Sequence, residues 1–376
     1  MGKNTKIPTG RAFQVFFLPL FRLFGALWTK MASDNVALLR LRERMEFLEN
    51  RNIKRLGGAP DGVDEQWIDI RLPDGWISRT KLIWPTPQQG QSIACPLITY
   101  MHGGGYCSGS PGQALEPGRG LALHFKAIVA CTSYKLAPEH PWPAPVESAY
   151  EVCAWLSDPR NLNDGPLKGT GVSFQPDLGF VVGGISVGGN FAAVIGGLLG
   201  MSTVEPELLT RRTPFHASVS SLFLTIPGIL SEAMVPERFR DIFRSRQENS
   251  GGNGDGLTTM NVVLFENIYR ADVRSPWFSP VVLDPSEVRS SGRHPAKVFI
   301  QGGAKDALRD DAVIYQKWLE EAGVETKLVL LQDLGHCTWT TMDHPRRRRE
   351  EMREASLDGM GWLLGRSWDR SRDCTY

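Results

Sequence analysis

The chain of 376 residues is long enough for one large α/β domain with an accessory lid, or for two smaller domains. Its 41% hydrophobic and 22% charged content lies in the ordinary globular range and excludes a disordered or collagenous chain, despite 39 glycines and 25 prolines. With 42 basic and 41 acidic side chains the formal charge is +1, so no overall field gathers nucleic acid or an anionic surface, and no nucleic-acid partner is expected.

Cys95, Cys107, Cys131, Cys153, Cys337 and Cys374 are scattered without CxxC spacing, which indicates neither a zinc site nor a redox pair and reads as buried free thiols. There is no Asn-x-Ser/Thr sequon and no small-residue cleavage site after the apolar start, so a cytoplasmic location is expected. At the start, Phe13, Phe16, Phe17, Leu20, Phe24, Leu27 and Trp28 fall on one helical face. Gln14, Pro19 and Arg22 interrupt this stretch, leaving it short of the ~20 apolar residues a spanning helix needs. Two readings stay open: a helix packing its aromatic face on the body as part of a cap, or a peripheral membrane contact through residues 12–28, which Lys3, Lys6, Arg11 and Lys30 flank. A charged helix is predicted over Asn35 to Asn52, and Gly57, Gly58, Pro60 and Gly62 then break the chain. The predicted division is therefore 1–62, helices forming part of a cap, and 63–376, the catalytic domain.

Strands are predicted at Trp67 to Leu72, Ser78 to Trp84, Leu97 to Met101, Ala127 to Ser133, Leu178 to Gly183, Ser218 to Thr225, Val298 to Gln301 and Thr326 to Leu331. From Leu97 onward many are unalternated apolar runs, as strands covered on both faces should be. Helical periodicity appears at Ala149 to Leu156, Asn190 to Leu199 and Leu308 to Ala322. Strands alternating with helices predict a doubly wound, mostly parallel eight-stranded sheet. Residues 227–280 break that rhythm around the glycine-rich Asn249 to Gly256, and an insertion after a core strand suits a cap over the ligand-binding edge. Further on, Arg346 to Arg349 precede Glu350, Glu351 and Glu354, which reads as a solvated helix end with local ion pairs.

Gly184-Ile185-Ser186-Val187-Gly188 matches GxSxG, with an apolar strand running in and a helical segment leading out. That is the setting of a nucleophile elbow; the competing phosphate loop would need a Walker lysine or a GxGxxG pattern, and neither is present. His102-Gly103-Gly104-Gly105-Tyr106 follows the strand ending at Met101. Its unobstructed amides suit the negative charge that acyl transfer places on a carbonyl oxygen, and such donors are often worth about 3 kcal/mol each in barrier height. The expected donors are the N–H groups of Gly104, Gly105 and Val187, with His102 and Gly103 shaping the loop.

Together with Tyr134, the run Leu136-Ala137-Pro138-Glu139 and Asp306-Ala307-Leu308-Arg309-Asp310, these motifs resemble the hormone-sensitive lipase family of α/β-hydrolases over roughly residues 96–339. The resemblance implies the α/β-hydrolase fold and the chain order Ser, Asp, His, which falls on Ser186, Asp306 and His336. Chemistry agrees, since a serine needs an imidazole to take its proton and the imidazole needs a carboxylate to hold its tautomer. Asp310 and Asp311 rival Asp306 on spacing, but read as a solvated first turn favoured by the helix dipole; His294 and His344 follow no core strand. Two departures stand out: Ile185 where the family usually has aspartate, and Val187 where it has alanine.

The leading expectation is a serine carboxylic-ester hydrolase that forms an acyl-enzyme on a small or medium-sized ester, with Tyr106 and Trp142 as pocket walls. It requires no cofactor or metal. A second reading keeps the triad for a non-hydrolytic cyclisation, elimination or acyl transfer. A third is a silent small-molecule receptor, against which His336 argues, because the gibberellin receptors that resemble the family lack that histidine. No oligomeric state is read from the sequence.

Overall fold

A computed structural model describes residues 14–201, 212–251, 257–339 and 346–371, with side chains from residue 35 onward apart from that of residue 346. The apolar face expected at residues 12–28, the glycine-rich centre at 252–256, His344 and Cys374 lie outside these described residues or side chains. The chain divides into two compact units, residues 1–44 and 45–376, and the second holds the sheet. One continuous helix, α1 (Gln14–Leu56), replaces the two helices predicted at the start. The residues between them, Thr29 to Asp34, contain neither glycine nor proline and have nothing to stop a helix. No helix among the described residues is long and apolar enough to cross a membrane.

The strands are β1 (Val63–Arg71), β2 (Ile77–Pro85), β3 (Ile93–Cys95), β4 (Leu97–Met101), β5 (Ile128–Thr132), β6 (Val172–Phe174), β7 (Phe180–Ile185), β8 (Ser221–Thr225), β9 (Lys297–Gly303) and β10 (Glu325–Leu331). Eight of them form one sheet in the order β1-β2-β5-β4-β7-β8-β9-β10, in which β2 runs against both neighbours and every other adjacent pair is parallel. The remaining β3 and β6 pair as a small parallel sheet, at three residues each too short to carry a readable period. As their unalternated apolar runs predicted, β4, β5, β7 and β8 are buried along their whole length.

The principal helices of the second unit are α2 (Leu115–Phe125), α3 (Ala144–Leu156), α4 (Val187–Gly200), α5 (Thr259–Tyr269), α6 (Arg309–Glu321) and α7 (Arg346–Leu364). In α7, Arg347 pairs with Glu351 one turn on at 3.1 Å, the local ion pairing expected of that segment. The sequence of α2, LEPGRGLALHF, reads as a broken stretch, and no helix was expected there. Its Pro117 sits in the first turn, where a missing N–H is harmless. A Cβ on Gly118 would stand 2.9 Å from Cys131 Sγ and 3.0 Å from Ile83 Cδ1, so this glycine lets the helix lie close on β5 and β2.

The chain leaves β4 through α2 to β5 on one side, then returns past it to β7 on the other. Connections that diverge in this way open a crevice at the carboxyl ends of β4 and β7, where open α/β sheets bind ligands. Both glycine-rich motifs begin at those two strand ends.

Cys95, Cys107, Cys131 and Cys153 are buried and in no disulfide, as expected, whereas Cys337 is half-buried; burial pushes Cys95, Cys131 and Cys153 up to about 12. A buried ion network ties the hairpin to α2. Arg119, 1% exposed, donates from Nε and Nη2 to the two carboxylate oxygens of Glu65 at 2.9 and 3.0 Å, and from Nη2 to the carbonyl of Gly57. Lys81 approaches the same carboxylate at 3.0 Å. Burial alone would raise the Glu65 carboxyl, but Arg119 and Lys81 outweigh it and hold the group below its ordinary value of 4.5. A carboxyl depressed in the folded state stabilises the fold above its unfolded pKa and loses that contribution as pH falls through the folded value. Arg119→Met is therefore expected to cost about 3 kcal/mol of stability near pH 7. In urea unfolding the gap to wild type should narrow as the pH falls below 4.5; a gap that does not change with pH would contradict the network.

Candidate active site

Ser186 stands between β7 and α4 with φ 55° and ψ −113°, a left-handed conformation a serine adopts only under constraint. Its N–H donates to the carbonyl of Thr225 at the end of β8, and its carbonyl accepts from Asn190 N–H, at 2.8 and 2.9 Å. The flanking glycines are there for space. A Cβ on Gly184 would stand 2.4 Å from the carbonyl carbon of Gly188, and one on Gly188 would stand 2.2 Å from the carbonyl oxygen of Met101 at the end of β4. Both clashes are with backbone, which cannot swing aside.

Asp306 follows β9 and His336 follows β10, and the loops that carry them touch backbone to backbone. Lys305 N–H donates to Leu334 O at 3.0 Å, and a Cβ on Gly303 would stand 2.1 Å from that same oxygen. The contact brings His336 Nδ1 to 2.7 Å from Asp306 Oδ2, while His336 Nε2 lies 2.9 Å from Ser186 Oγ. The other carboxylate oxygen, Oδ1, accepts the N–H of Leu308 at 2.8 Å. All three side chains are buried: Asp306 2%, His336 7% and Ser186 8% exposed. His294 is not part of this chain of bonds; its Nδ1 bonds the Pro295 carbonyl, its ring lies against Gly200 of α4, and burial brings it down to about 4.

The loop after β4 closes on the same serine. A Cβ on Gly103 would lie 3.2 Å from both Ser186 Cβ and Ile185 O. His102 bonds the Gly103 carbonyl through Nδ1 at 2.7 Å and stacks on Tyr134, whose hydroxyl donates to His102 O at 2.9 Å. Burial lowers His102 to about 4, so the ring is neutral at ordinary pH. No described group accepts from the N–H of Gly104, Gly105 or Val187.

Gly105, Tyr106, Ser186 and Val187 line a cavity of about 220 Å³, together with Leu257, Phe265 and others from the 227–280 segment. Burial pushes the Tyr106 phenol well above its ordinary value, so it stays protonated. Trp142, expected as a wall, is not among the lining residues. Its backbone N–H bonds the carbonyl of Tyr269, and the Tyr269 ring, stacked 3.9 Å from Tyr106, takes that wall position.

A family described as the α/β-hydrolase fold matches residues 98–340. The chain belongs to that family, as a hormone-sensitive lipase-like member of carboxylesterase type. Carboxylesterase NlhH of Mycobacterium tuberculosis is 28% identical over 305 residues, covering 80% of this chain and 81% of its own length. A hyperthermophilic esterase from the archaeon Pyrobaculum calidifontis superposes with a TM-score of 0.66 at 25% identity, over 87% of this chain and 92% of its own. The crystal structure of vibralactone cyclase reaches a TM-score of 0.71 at 20% identity, over 86% of this chain and 89% of its own, a likeness of fold.

Asp310 and Asp311 correct the sequence reading. They do occupy the first turn of α6, but they are buried, 3% and 0% exposed, rather than solvated. Asp311 accepts the N–H groups of Ile229 and Leu230 at 2.8 and 2.9 Å and pairs with Arg246 at 3.0 Å. Asp310 accepts the N–H groups of Arg244 and Ser245, both at 2.6 Å. The two carboxylates thus fasten the start of the 227–280 segment beside the site. The missed signal was the pairing of two adjacent acids with an arginine inside the insertion. Asp311→Ala would remove the carboxylate that pairs with Arg246 and leave two backbone donors without their acceptor, at a cost of about 3 kcal/mol. The expected outcome is faster amide hydrogen exchange confined to residues 229–246, with exchange in β4 and β7 unchanged.

Proposed function

We propose that the protein hydrolyses a small or medium-sized carboxylic ester through an acyl-enzyme, with Ser186 as nucleophile, His336 as base then acid, and Asp306 as the carboxylate that orients the imidazole. The observation that carries this reading is the unbroken line of contacts from Ser186 Oγ to His336 Nε2 at 2.9 Å and from His336 Nδ1 to Asp306 Oδ2 at 2.7 Å. In the first step Ser186 Oγ bonds to the ester carbonyl carbon as its proton passes to His336 Nε2, and the carbonyl oxygen takes the negative charge. The amides of Gly104, Gly105 and Val187 stabilise that oxygen, on a loop whose shape His102 and Gly103 hold. Collapse expels the alcohol, which leaves with the proton from His336. Water then repeats the sequence on the acyl-enzyme, releasing the acid and restoring Ser186. Asp306 fixes the tautomer that presents a bare Nε2 to the serine and stabilises the imidazolium.

A small substrate is favoured by the volume of about 220 Å³, below the ~300–1,000 Å³ of pockets for drug-sized ligands. Ester hydrolysis in general is supported by the carboxylesterase relative from Mycobacterium tuberculosis. The cap in this reading is the 227–280 segment, joined by the end of α1, where Glu49 accepts a hydrogen bond from Ser110 just beyond the glycine loop. Ser186→Ala is expected to lower kcat for p-nitrophenyl acetate by about 10³-fold or more with little change in melting temperature. Wild-type turnover in the alanine variant would end the proposal.

A further inference from the structure

The ring of Phe265, on α5, lies directly on Gly105: a Cβ built on that glycine would stand 2.4 Å from Phe265 Cδ1 and 2.5 Å from Cε1. Both residues line the cavity that holds Ser186. Gly105 has φ +61°, so its bare Cα serves the turn as well as the contact. The volume beside the glycine loop is therefore filled from the cap and not from the loop itself. Two other apolar lining residues, Phe278 and Leu308, differ in this respect. Phe278 gives its carbonyl to Asn190 of α4, and Leu308 immediately precedes α6, so both are tied to helices that pack on the sheet.

We infer that Phe265 is the residue that sets the size of ester admitted, by occupying the space next to the carbonyl that Gly105 and Ser186 would hold between them. This deepens the reading of Ser186 as nucleophile and rests on it. A substituent on the reacting carbonyl that extends toward the cap meets the Phe265 ring, and a smaller side chain at 265 opens that direction without touching the serine, the histidine or the loop amides. Hydrophobic pockets discriminate on the order of 10- to 200-fold for each methylene admitted or refused.

Two matched fluorophosphonates, carrying a methyl or a hexyl group on phosphorus, test this without requiring ester turnover. Labelling rates are measured by intact-protein mass for wild type, Phe265→Ala, Phe265→Leu and Phe265→Trp, with melting temperatures to establish folding. The hexyl-to-methyl rate ratio is expected to rise about tenfold or more in the alanine variant, to rise less in the leucine variant, and to fall in the tryptophan variant. The leucine variant keeps the test decisive if alanine destabilises α5. A ratio that stays constant across folded, labelled variants overturns the role of Phe265 alone. Absence of labelling in every protein including wild type overturns the assignment of Ser186 and this inference with it.

Discussion

The positive φ at Ser186 is the constraint around which the rest of the site is built. A residue at φ 55° between a strand and a helix turns its side chain out of the sheet edge, and the backbone must be held there against its own preference. Thr225 O supplies one hold, through the Ser186 N–H. Asn190 N–H supplies a second through the Ser186 carbonyl, and the remaining holds are contacts: Gly184 against Gly188, and Gly188 against the last carbonyl of β4. Because β4 and β7 are hydrogen-bonded neighbours at the point where the chain reverses its direction across the sheet, the glycine loop leaving β4 has no route except past the serine.

The acids of residues 306–311 divide two tasks within six positions. Asp306 turns toward His336, while Asp310 and Asp311 turn toward the 227–280 segment. One short segment therefore sets both the geometry of the imidazole and the attachment of the 227–280 segment beside it. Buried charge is expensive unless paired and hydrogen-bonded, and here each carboxylate has its partners: Leu308 N–H and His336 for Asp306, Arg309 and two amides for Asp310, Arg246 and two amides for Asp311. The arrangement couples the 227–280 segment to the loop that carries Asp306, so changes in that segment are expected to reach the site through α6 rather than through the sheet.

The parts of this molecule that were legible in the sequence are those where local pattern and global packing agree. The buried strands β4, β5, β7 and β8 are short apolar runs because both faces are covered, and that signal survives in one dimension. The GxSxG glycines, and Gly103 and Gly104 of the HGGG loop, were readable because fixed backbone lies against them. What failed to show were features decided by long-range contact. Helix α2 looks broken until Gly118 is seen facing Cys131 and Ile83. Asp310 and Asp311 look solvated until the 229–246 segment folds over them. Trp142 looks like a pocket wall because nothing in the sequence announces that Tyr269, 127 positions later, stacks on Tyr106 instead. Similarly, Phe265 is unremarkable as a residue of an insertion and acquires a meaning only through its contact with Gly105.

The central claim is that the Ser186 hydroxyl becomes covalently acylated during turnover. Rapid acid quench of the wild-type enzyme a few milliseconds after mixing with p-nitrophenyl acetate, followed by peptide mass analysis, addresses it directly. The expected result is one acetyl group on the peptide containing Gly184 to Gly188, fragmenting to Ser186. Ester turnover with that peptide unmodified, or with the acetyl group on another residue, would contradict the account.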